Sequence, residues 1–177
     1  IEDILPTLRR TLTEGRNALL TAAPGAGKTT RVPLALLDAP WLDGKRLLML
    51  EPRRLAARAA AHRMATMLGE SVGQTVGYRM RLDTKVGPRT SIEVVTEGIL
   101  SRLLQEDPAL STYAIVLFDE FHERSLQADT GLALCLETQR LFRPDLRLLV
   151  MSATLDCGPV ADLLGQAPVI ACEGRMF

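Results

Sequence analysis

The segment 21–30, with the sequence TAAPGAGKTT, has the residue types of a phosphate-binding loop. It follows the short apolar stretch 17–20 and leads into a predicted helix, which is the strand–loop–helix setting that such a loop needs. Glycines let the backbone wrap closely, so that N–H groups point at phosphate oxygens, and the helix start adds partial positive charge. Lys28 would reach the β- and γ-phosphates, and the hydroxyl of Thr29 would bind Mg²⁺. The strict pattern begins with glycine, where this chain has Ala22, and that position mainly requires a small residue.

This loop predicts a site for ATP, or another nucleoside triphosphate, together with Mg²⁺. The alternative is a Gly/Pro-rich turn with a chance lysine, and the flanking strand and helix favour the phosphate loop. The predicted nucleotide-binding residues of the loop are Ala23, Pro24, Gly25, Ala26, Gly27, Lys28, Thr29 and Thr30.

A group of polar residues directly follows the apolar run 113–118: Asp119, Glu120 and His122. Sheets of α/β proteins bind ligands at the carboxyl ends of their strands. If this strand lies beside the strand 17–21, Asp119 faces the Mg²⁺ of the phosphate loop, and Glu120 accepts a proton from the attacking water. The alternative is that the two acids cap the next helix and that His122 is an ordinary hydrogen-bonding residue. The predicted metal ligands are Thr29, Asp119 and Glu120, and the predicted catalytic residues are Lys28, Asp119, Glu120 and His122.

Two arginines, Arg53 and Arg54, follow Pro52 at the start of a predicted helix, where the helix dipole disfavours cations. Their position suits an anion such as a nucleic-acid phosphate, although two solvated arginines explain it equally well. Thr96 precedes an apolar helical pattern and serves as an N-cap by itself.

A small basic and aromatic cluster is formed by Tyr78, Arg79 and Arg81. Such a cluster can contact a nucleic-acid strand, and it also occurs on ordinary surfaces. Two hydroxyl residues, Ser152 and Thr154, follow the last buried strand, where they either hydrogen-bond the Asp/Glu pair or end the strand.

Apolar periodicity predicts strands that alternate with helices, and therefore a parallel sheet with right-handed crossovers in one domain, 1–177. The predicted strands are 17–21, 46–51, 92–95, 113–118 and 146–151. The predicted helices are 53–68, 125–141, a first helix with Asp3 as N-cap, one bent at Pro33, and one carrying Ile99, Leu100, Leu103 and Leu104.

Composition favours a soluble cytoplasmic domain: of 177 residues, 47% are hydrophobic, and acidic and basic residues balance at 21 each. Any nucleic-acid site must therefore be local. Cys135, Cys157 and Cys172 have neither a zinc spacing nor a disulfide framework, which indicates reduced thiols. No apolar run approaches membrane-spanning length, and no signal peptide is apparent. The start at Ile1 rather than Met indicates a fragment.

Five segments occur in an order that resembles the first RecA-like domain of the DExH/DEAH-box helicases of superfamily 2. They are GAGKTT, PRR at 52–54, TEG at 96–98, DEFH at 119–122 and SAT at 152–154. Three sequence segments are especially similar to those of the bacterial HrpB-like branch of RNA helicases: LEPRRLAAR, EVVTEG and DEFHERSL. Phe121, in place of the alanine of the DEAH box, also matches that branch. The resemblance covers nearly the whole chain.

The resemblance implies an α/β RecA-like P-loop NTPase domain, with a mostly parallel central sheet and helices on both faces. It implies RNA contacts by Arg54, Arg81 and Thr96 (we add Arg53), stacking of Arg63 on the nucleotide base, and coupling through Ser152 and Thr154. It further implies that a second RecA-like domain, expected outside this chain, completes the ATP site. A P-loop switch or transport ATPase without nucleic-acid binding is the alternative function.

Overall fold

The computed structural model describes residues 1–153 and 158–172. Within them, the strands are β1 (Asn17–Ala22), β2 (Arg46–Glu51), β3 (Val76–Met80), β4 (Asp83–Lys85), β5 (Ile92–Thr96), β6 (Tyr113–Phe118), β7 (Arg147–Ser152) and β8 (Val169–Cys172). The helices are α1 (Leu5–Glu14), α2 (Lys28–Ala35), α3 (Arg54–Met67), α4 (Glu97–Glu106), α5 (Leu126–Leu141) and α6 (Gly158–Leu163). Short 3₁₀ turns lie at Glu2–Ile4, Pro40–Leu42 and Phe121–Glu123.

The strands form one sheet in the order β4-β3-β5-β2-β6-β7-β1-β8. Every pairing is parallel except that of β3 with β4, which is antiparallel. The carboxyl ends of the parallel strands therefore share one edge of the sheet, which we call the carboxyl edge. The expectation of an α/β fold with a mostly parallel central sheet is confirmed.

Helices cover both faces of this sheet. The alternation of β6 shows the two cores: Ile115 and Leu117 belong to one, and Val116 and Phe118 belong to the other. Helices α1, α2 and α3 pack on the first core, whereas α4, α5 and α6 pack on the second. A strand buried on both faces reads as a continuous apolar run, which is why β2 and β6 have the bounds that the sequence predicts.

The N-terminus of α1 and the position of Pro33 in α2 can be compared with the sequence-based expectations. The N-cap of α1 is Ile4 rather than Asp3, because Asp3 belongs to a 3₁₀ turn that runs directly into the helix, and no side chain caps it. Helix α2 ends at Ala35, two residues beyond Pro33, so the proline lies in its last turn. None of the helices in the described ranges is long and apolar enough to cross a bilayer.

Candidate functional site

The phosphate loop leaves β1 at Ala22 and enters α2 at Lys28. Gly25 and Gly27 have φ angles of 78° and 89°, in the left-handed region that favours glycine. The amides of these two glycines, of Lys28 and of Thr29 find no acceptor in the described part of the chain. Four N–H groups are thus left for an anion at the helix start, as the phosphate-loop prediction requires.

Two side chains of the loop contact the two acids that follow β6. Lys28, only 2% exposed, places its Nζ 2.7 Å from Oε1 of Glu120. Thr29 donates from Oγ1 to Oδ2 of Asp119 over 2.5 Å. The assumption that β6 lies beside β1 is wrong, because β7 lies between them. The contact nevertheless forms, so the first turn of α2 must lie across the end of β7.

A third carboxyl group, Glu51, completes this cluster and was missed by the sequence analysis. It is the last residue of β2 and is 2% exposed. Burial raises the pKa of Glu51 to about 9, assisted by the charge of Asp119, by a hydrogen bond shared with Asp119 and by the charge of Glu120. The sequence did contain a signal for Glu51. It is an acidic residue at the carboxyl end of an apolar strand, much as Asp119 directly follows the apolar strand β6.

Glu51 and Asp119 differ in the groups that stabilise their charged forms. Burial also raises the pKa of Asp119, but a hydrogen bond from Thr29 and the charge of Lys28 oppose that rise. Asp119 further accepts a bond from the backbone N–H of Glu120, Oδ1 to N 2.8 Å. With these donors Asp119 is the better charged partner, so we expect Glu51 to be the acid that holds a proton at neutral pH.

The donor set fits a divalent cation. Lys28 is the one Lys or Arg that pairs with Glu51, Asp119 or Glu120 among the described residues, so the cluster lacks positive charge. No group of three His, Cys, Asp or Glu side chains in the described ranges forms a metal cage by itself. Mg²⁺ is usually held by one or two carboxylates together with substrate phosphates, so a hydroxyl and one or two carboxylates beside a phosphate loop suit it.

The segment 119–124, which we call the acidic turn, has an unusual backbone. Glu120 and Arg124 both have positive φ, 49° and 45°, on either side of the 3₁₀ turn. Phe121 anchors the turn in the core, edge-on to Phe118 with ring centroids 6.1 Å apart. Strain of this kind persists only where surrounding contacts hold it, and it is found at functional sites.

His122 ties the acidic turn to the end of β7. The backbone N–H of Ala153 donates to its Nδ1 over 3.1 Å. Because Nδ1 accepts this bond it carries no proton, so its 3.4 Å approach to Glu120 is not a hydrogen-bonded ion pair. Ser152 is buried at the end of β7, and Thr154 lies outside the described residues. The segment after β7 thus touches the acidic turn through a backbone amide.

Three of the predicted RNA contacts converge on the carboxyl edge. Arg54 donates to the backbone carbonyl of Arg81 over 3.1 Å, which brings the start of α3 to the turn between β3 and β4. Arg81 and Thr96 line the same cavity of about 590 Å³. Arg53, the fourth, instead donates to the carboxylate of Glu123 over 3.1 and 3.2 Å.

The basic and aromatic cluster is not a surface cluster as expected. Tyr78 is fully buried and donates its hydroxyl to Asp83 over 3.1 Å. Arg79 donates from Nε to the buried Glu93 over 2.8 Å. Alternation along β3 turns Tyr78 into the core, which leaves Arg81 as the member with an exposed side chain. Arg63 is exposed on α3 and forms no hydrogen bond with the described residues.

Comparison with known proteins gives consistent matches. The family model described as "DEAD/DEAH box helicase" matches residues 5–163. The chain is 54% identical over 174 residues to the "ATP-dependent RNA helicase HrpB" of Escherichia coli strain K12, covering 98% of this chain and 21% of that protein. Two crystal structures, titled as E. coli DEAH/RHA helicase HrpB and E. coli DExH-box NTPase HrpB, each match with a TM-score of 0.94, 52% identity, and coverage of 99% of this chain and 22% of theirs. The chain spans about a fifth of the length of these relatives.

Proposed function

This chain belongs to the DEAD/DEAH box helicase family, and on that premise we propose that it is the ATP-binding motor domain of an ATP-dependent RNA helicase. One observation carries the proposal. The phosphate loop and the acidic turn lie 90 residues apart in sequence, yet Thr29 contacts Asp119 and Lys28 contacts Glu120 across the end of β7. A catalytic site for phosphoryl transfer needs this assembly of phosphate cradle, cation and carboxylates.

The nucleotide would bind with its phosphates on the amides of the loop and on Lys28. When Lys28 turns to the phosphates, Glu120 loses its cation, and its carboxylate is then available to accept a proton from the attacking water. Thr29, Asp119 and Glu120 would hold Mg²⁺, which neutralises charge on the phosphates. Arg63 is our candidate for stacking on the base.

RNA would bind along the carboxyl edge through Arg53, Arg54, Arg81 and Thr96. Contacts of arginine and threonine with phosphate and sugar are independent of sequence, so single-stranded RNA of any sequence is the expected ligand. A P-loop switch or transport ATPase has no use for cationic side chains that converge beside its nucleotide site. The contact between His122 and Ala153 supports a coupling role for the segment that contains Ser152 and Thr154.

Hydrolysis would depend on a second RecA-like domain of the full-length protein, which we propose as the principal partner of this domain. A cytoplasmic location fits the free thiols of Cys135 and Cys172.

A salt titration of single-stranded RNA binding to the full-length protein tests this function. Arg54→Ala combined with Arg81→Ala should weaken binding to every RNA sequence and flatten the slope of log K against log salt by about 1.4, the value for two lost phosphate contacts on a single strand. ATP affinity should stay unchanged. The matched control is Arg10→Ala with Arg140→Ala, which removes the same charge from exposed helix positions elsewhere. Wild-type affinity and slope in the first double variant would exclude this RNA track, and a wild-type protein that binds no RNA would favour the switch ATPase.

A further inference from the structure

Arg53 already has an anionic partner in the protein. Its Nη2 lies 3.1 and 3.2 Å from the two carboxylate oxygens of Glu123, and the two side chains are 72% and 36% exposed. Arg53 is the N-cap residue of α3, where the helix dipole disfavours a cation. An anion beside its guanidinium offsets this unfavourable position, and Glu123 supplies one.

Glu123 ends the 3₁₀ turn that follows the catalytic carboxylates. Its backbone N–H donates to the carbonyl of Glu120 over 2.9 Å, and that of Arg124 donates to Phe121 over 3.2 Å. Both flanking residues, Glu120 and Arg124, are held at positive φ. The side chain of Glu123 adds a tie from this strained turn to the start of α3.

The pair also spans the space between the two candidate sites. A cavity of about 200 Å³ is lined by Pro52, Arg53 and Glu97 from the RNA side and by Asp119, Glu120 and Glu123 from the acidic turn. A second contact joins the same two regions: Ser125 Oγ donates to the carboxylate of Glu97 over 2.7 Å. Serine carries no charge, so a phosphate would not compete for it strongly. A phosphate can, however, replace Glu123 as the anionic partner of Arg53.

We propose that Glu123 is an internal competitor of RNA for Arg53. An RNA phosphate on the carboxyl edge takes Arg53 from Glu123, and the acidic turn thereby loses its tie to α3. RNA binding is thus weakened by the cost of opening the pair, and it is linked to the mobility of the segment that carries Glu120. This inference rests on the proposed RNA-binding function.

The size of the competition follows from the exposure of the pair. Couplings measured for exposed ion pairs correspond to about one- to fivefold in an equilibrium constant. Glu123→Gln removes the carboxylate charge and keeps the side-chain shape, so it should tighten RNA binding by about two- to fivefold. In an Arg53→Ala background, Glu123→Gln should have almost no effect on RNA affinity, because the guanidinium that it would release is missing.

The experiment is a double-mutant cycle on the full-length protein, with binding of a fluorescein-labelled oligouridylate followed by anisotropy at fixed salt. Asp129→Asn is the matched control, since Asp129 pairs with Arg124 over 2.9 Å and its loss removes one nearby negative charge. Tightening by Glu123→Gln that requires Arg53 and exceeds the control supports the inference. Equal tightening with and without Arg53, or none, overturns it. If Arg53→Ala weakens binding but Glu123→Gln changes nothing, the proposed function stands and the competition fails; if the wild type binds no RNA, both fail.

Hydrogen exchange of the peptide 120–125 supplies a second readout that a purely structural pair would not give. Saturating oligouridylate should speed exchange of the Glu123 and Arg124 amides in the wild type. In Glu123→Gln these amides should exchange fast already, and RNA should add little. Slower exchange on RNA binding in both proteins would show that RNA does not release the acidic turn.

Discussion

Glu51→Gln is the sharpest test of the carboxylate cluster, because it removes a proton-binding group without removing a side chain. A glutamine amide retains an N–H donor that can reach Asp119, and it has nearly the shape of a protonated glutamate. Below about pH 4.5, where Glu51 keeps its proton in both the folded and the unfolded chain, the two proteins should have similar free energies of unfolding. They should diverge as the pH rises.

The sign and size of this divergence follow from linkage. The pKa of Glu51 is raised from its ordinary value of 4.5 to about 9 in the folded domain. Between these values the unfolded chain has released a proton that the folded chain retains, so the free energy of unfolding falls as the pH increases. One proton sets an upper limit of about 1.4 kcal/mol per pH unit, or about 2.7 kcal/mol from pH 6 to pH 8. For a domain of this size that corresponds to a loss of about 5–10 °C in Tm.

Urea unfolding at pH 6, 7 and 8, with EDTA and without nucleotide, measures the effect. The quantity to compare is the difference between Glu51→Gln and wild type at each pH, since it removes the contribution of all other titrating groups. Glu51→Gln should gain on the wild type as pH rises. Glu106→Gln, an exposed carboxyl on α4 that pairs with Arg102 at 2.8 Å, is the matched control and should run parallel to the wild type. Parallel curves for Glu51→Gln would show that Glu51 is ionised in the folded domain and would refute the assigned proton.

Four further outcomes are expected. Lys28→Ala should weaken ATP binding about ten- to a hundredfold by calorimetry, because it removes a charge-assisted contact with the phosphates. Glu120→Gln in the full-length protein should bind ATP almost normally but lower steady-state turnover by about 10²–10⁴, and near-normal turnover would exclude Glu120 as the base. The isolated chain should hydrolyse ATP at least about a thousandfold more slowly than the full-length protein, and equal rates would show that no second domain completes the site. Arg143→Lys should lower the free energy of unfolding by about 1–3 kcal/mol in urea, because the 11% exposed guanidinium donates to three backbone carbonyls in the segment 109–113.

The central strands were predictable because burial on both faces leaves a plain signal. Strand β6 is an unbroken apolar run, β2 is apolar between its charged end residues, and the bounds of both agree with the prediction. The edge strands β4 and β8, and β3 next to β4, escaped prediction. Strand β3 contains Gly77 and Arg79, which weaken the local signal for a strand. It is stabilised by pairing with β5, a long-range contact that the local sequence does not encode.

The candidate site was predictable as a set of residues but not as a set of contacts. Segment order and residue types pointed to Lys28, Thr29, Asp119 and Glu120 before their geometry was known. The sequence analysis considered β6 beside β1 only as a condition for the site. The intervening β7 could not be predicted from the spacing, because strand order is decided by packing of the whole sheet. Glu51 was missed for a related reason: its proton depends on burial and on a neighbour 68 residues away.

The cluster at the carboxyl edge orders Asp119 before any ligand arrives. Its Oδ2 accepts from Thr29, its Oδ1 accepts from the amide of Glu120, and the carboxyl group of Glu51 interacts with it. An apolar residue at position 51 would avoid the cost of burying a carboxyl group, but it would remove this polar neighbour of Asp119. A carboxylate that two donors already orient needs less reorganisation when a cation and phosphates bind, and such preorganisation is a main source of electrostatic catalysis. The buried carboxyl group of Glu51 thus makes the free energy of unfolding depend on pH, and the same group helps to orient the carboxylate of Asp119.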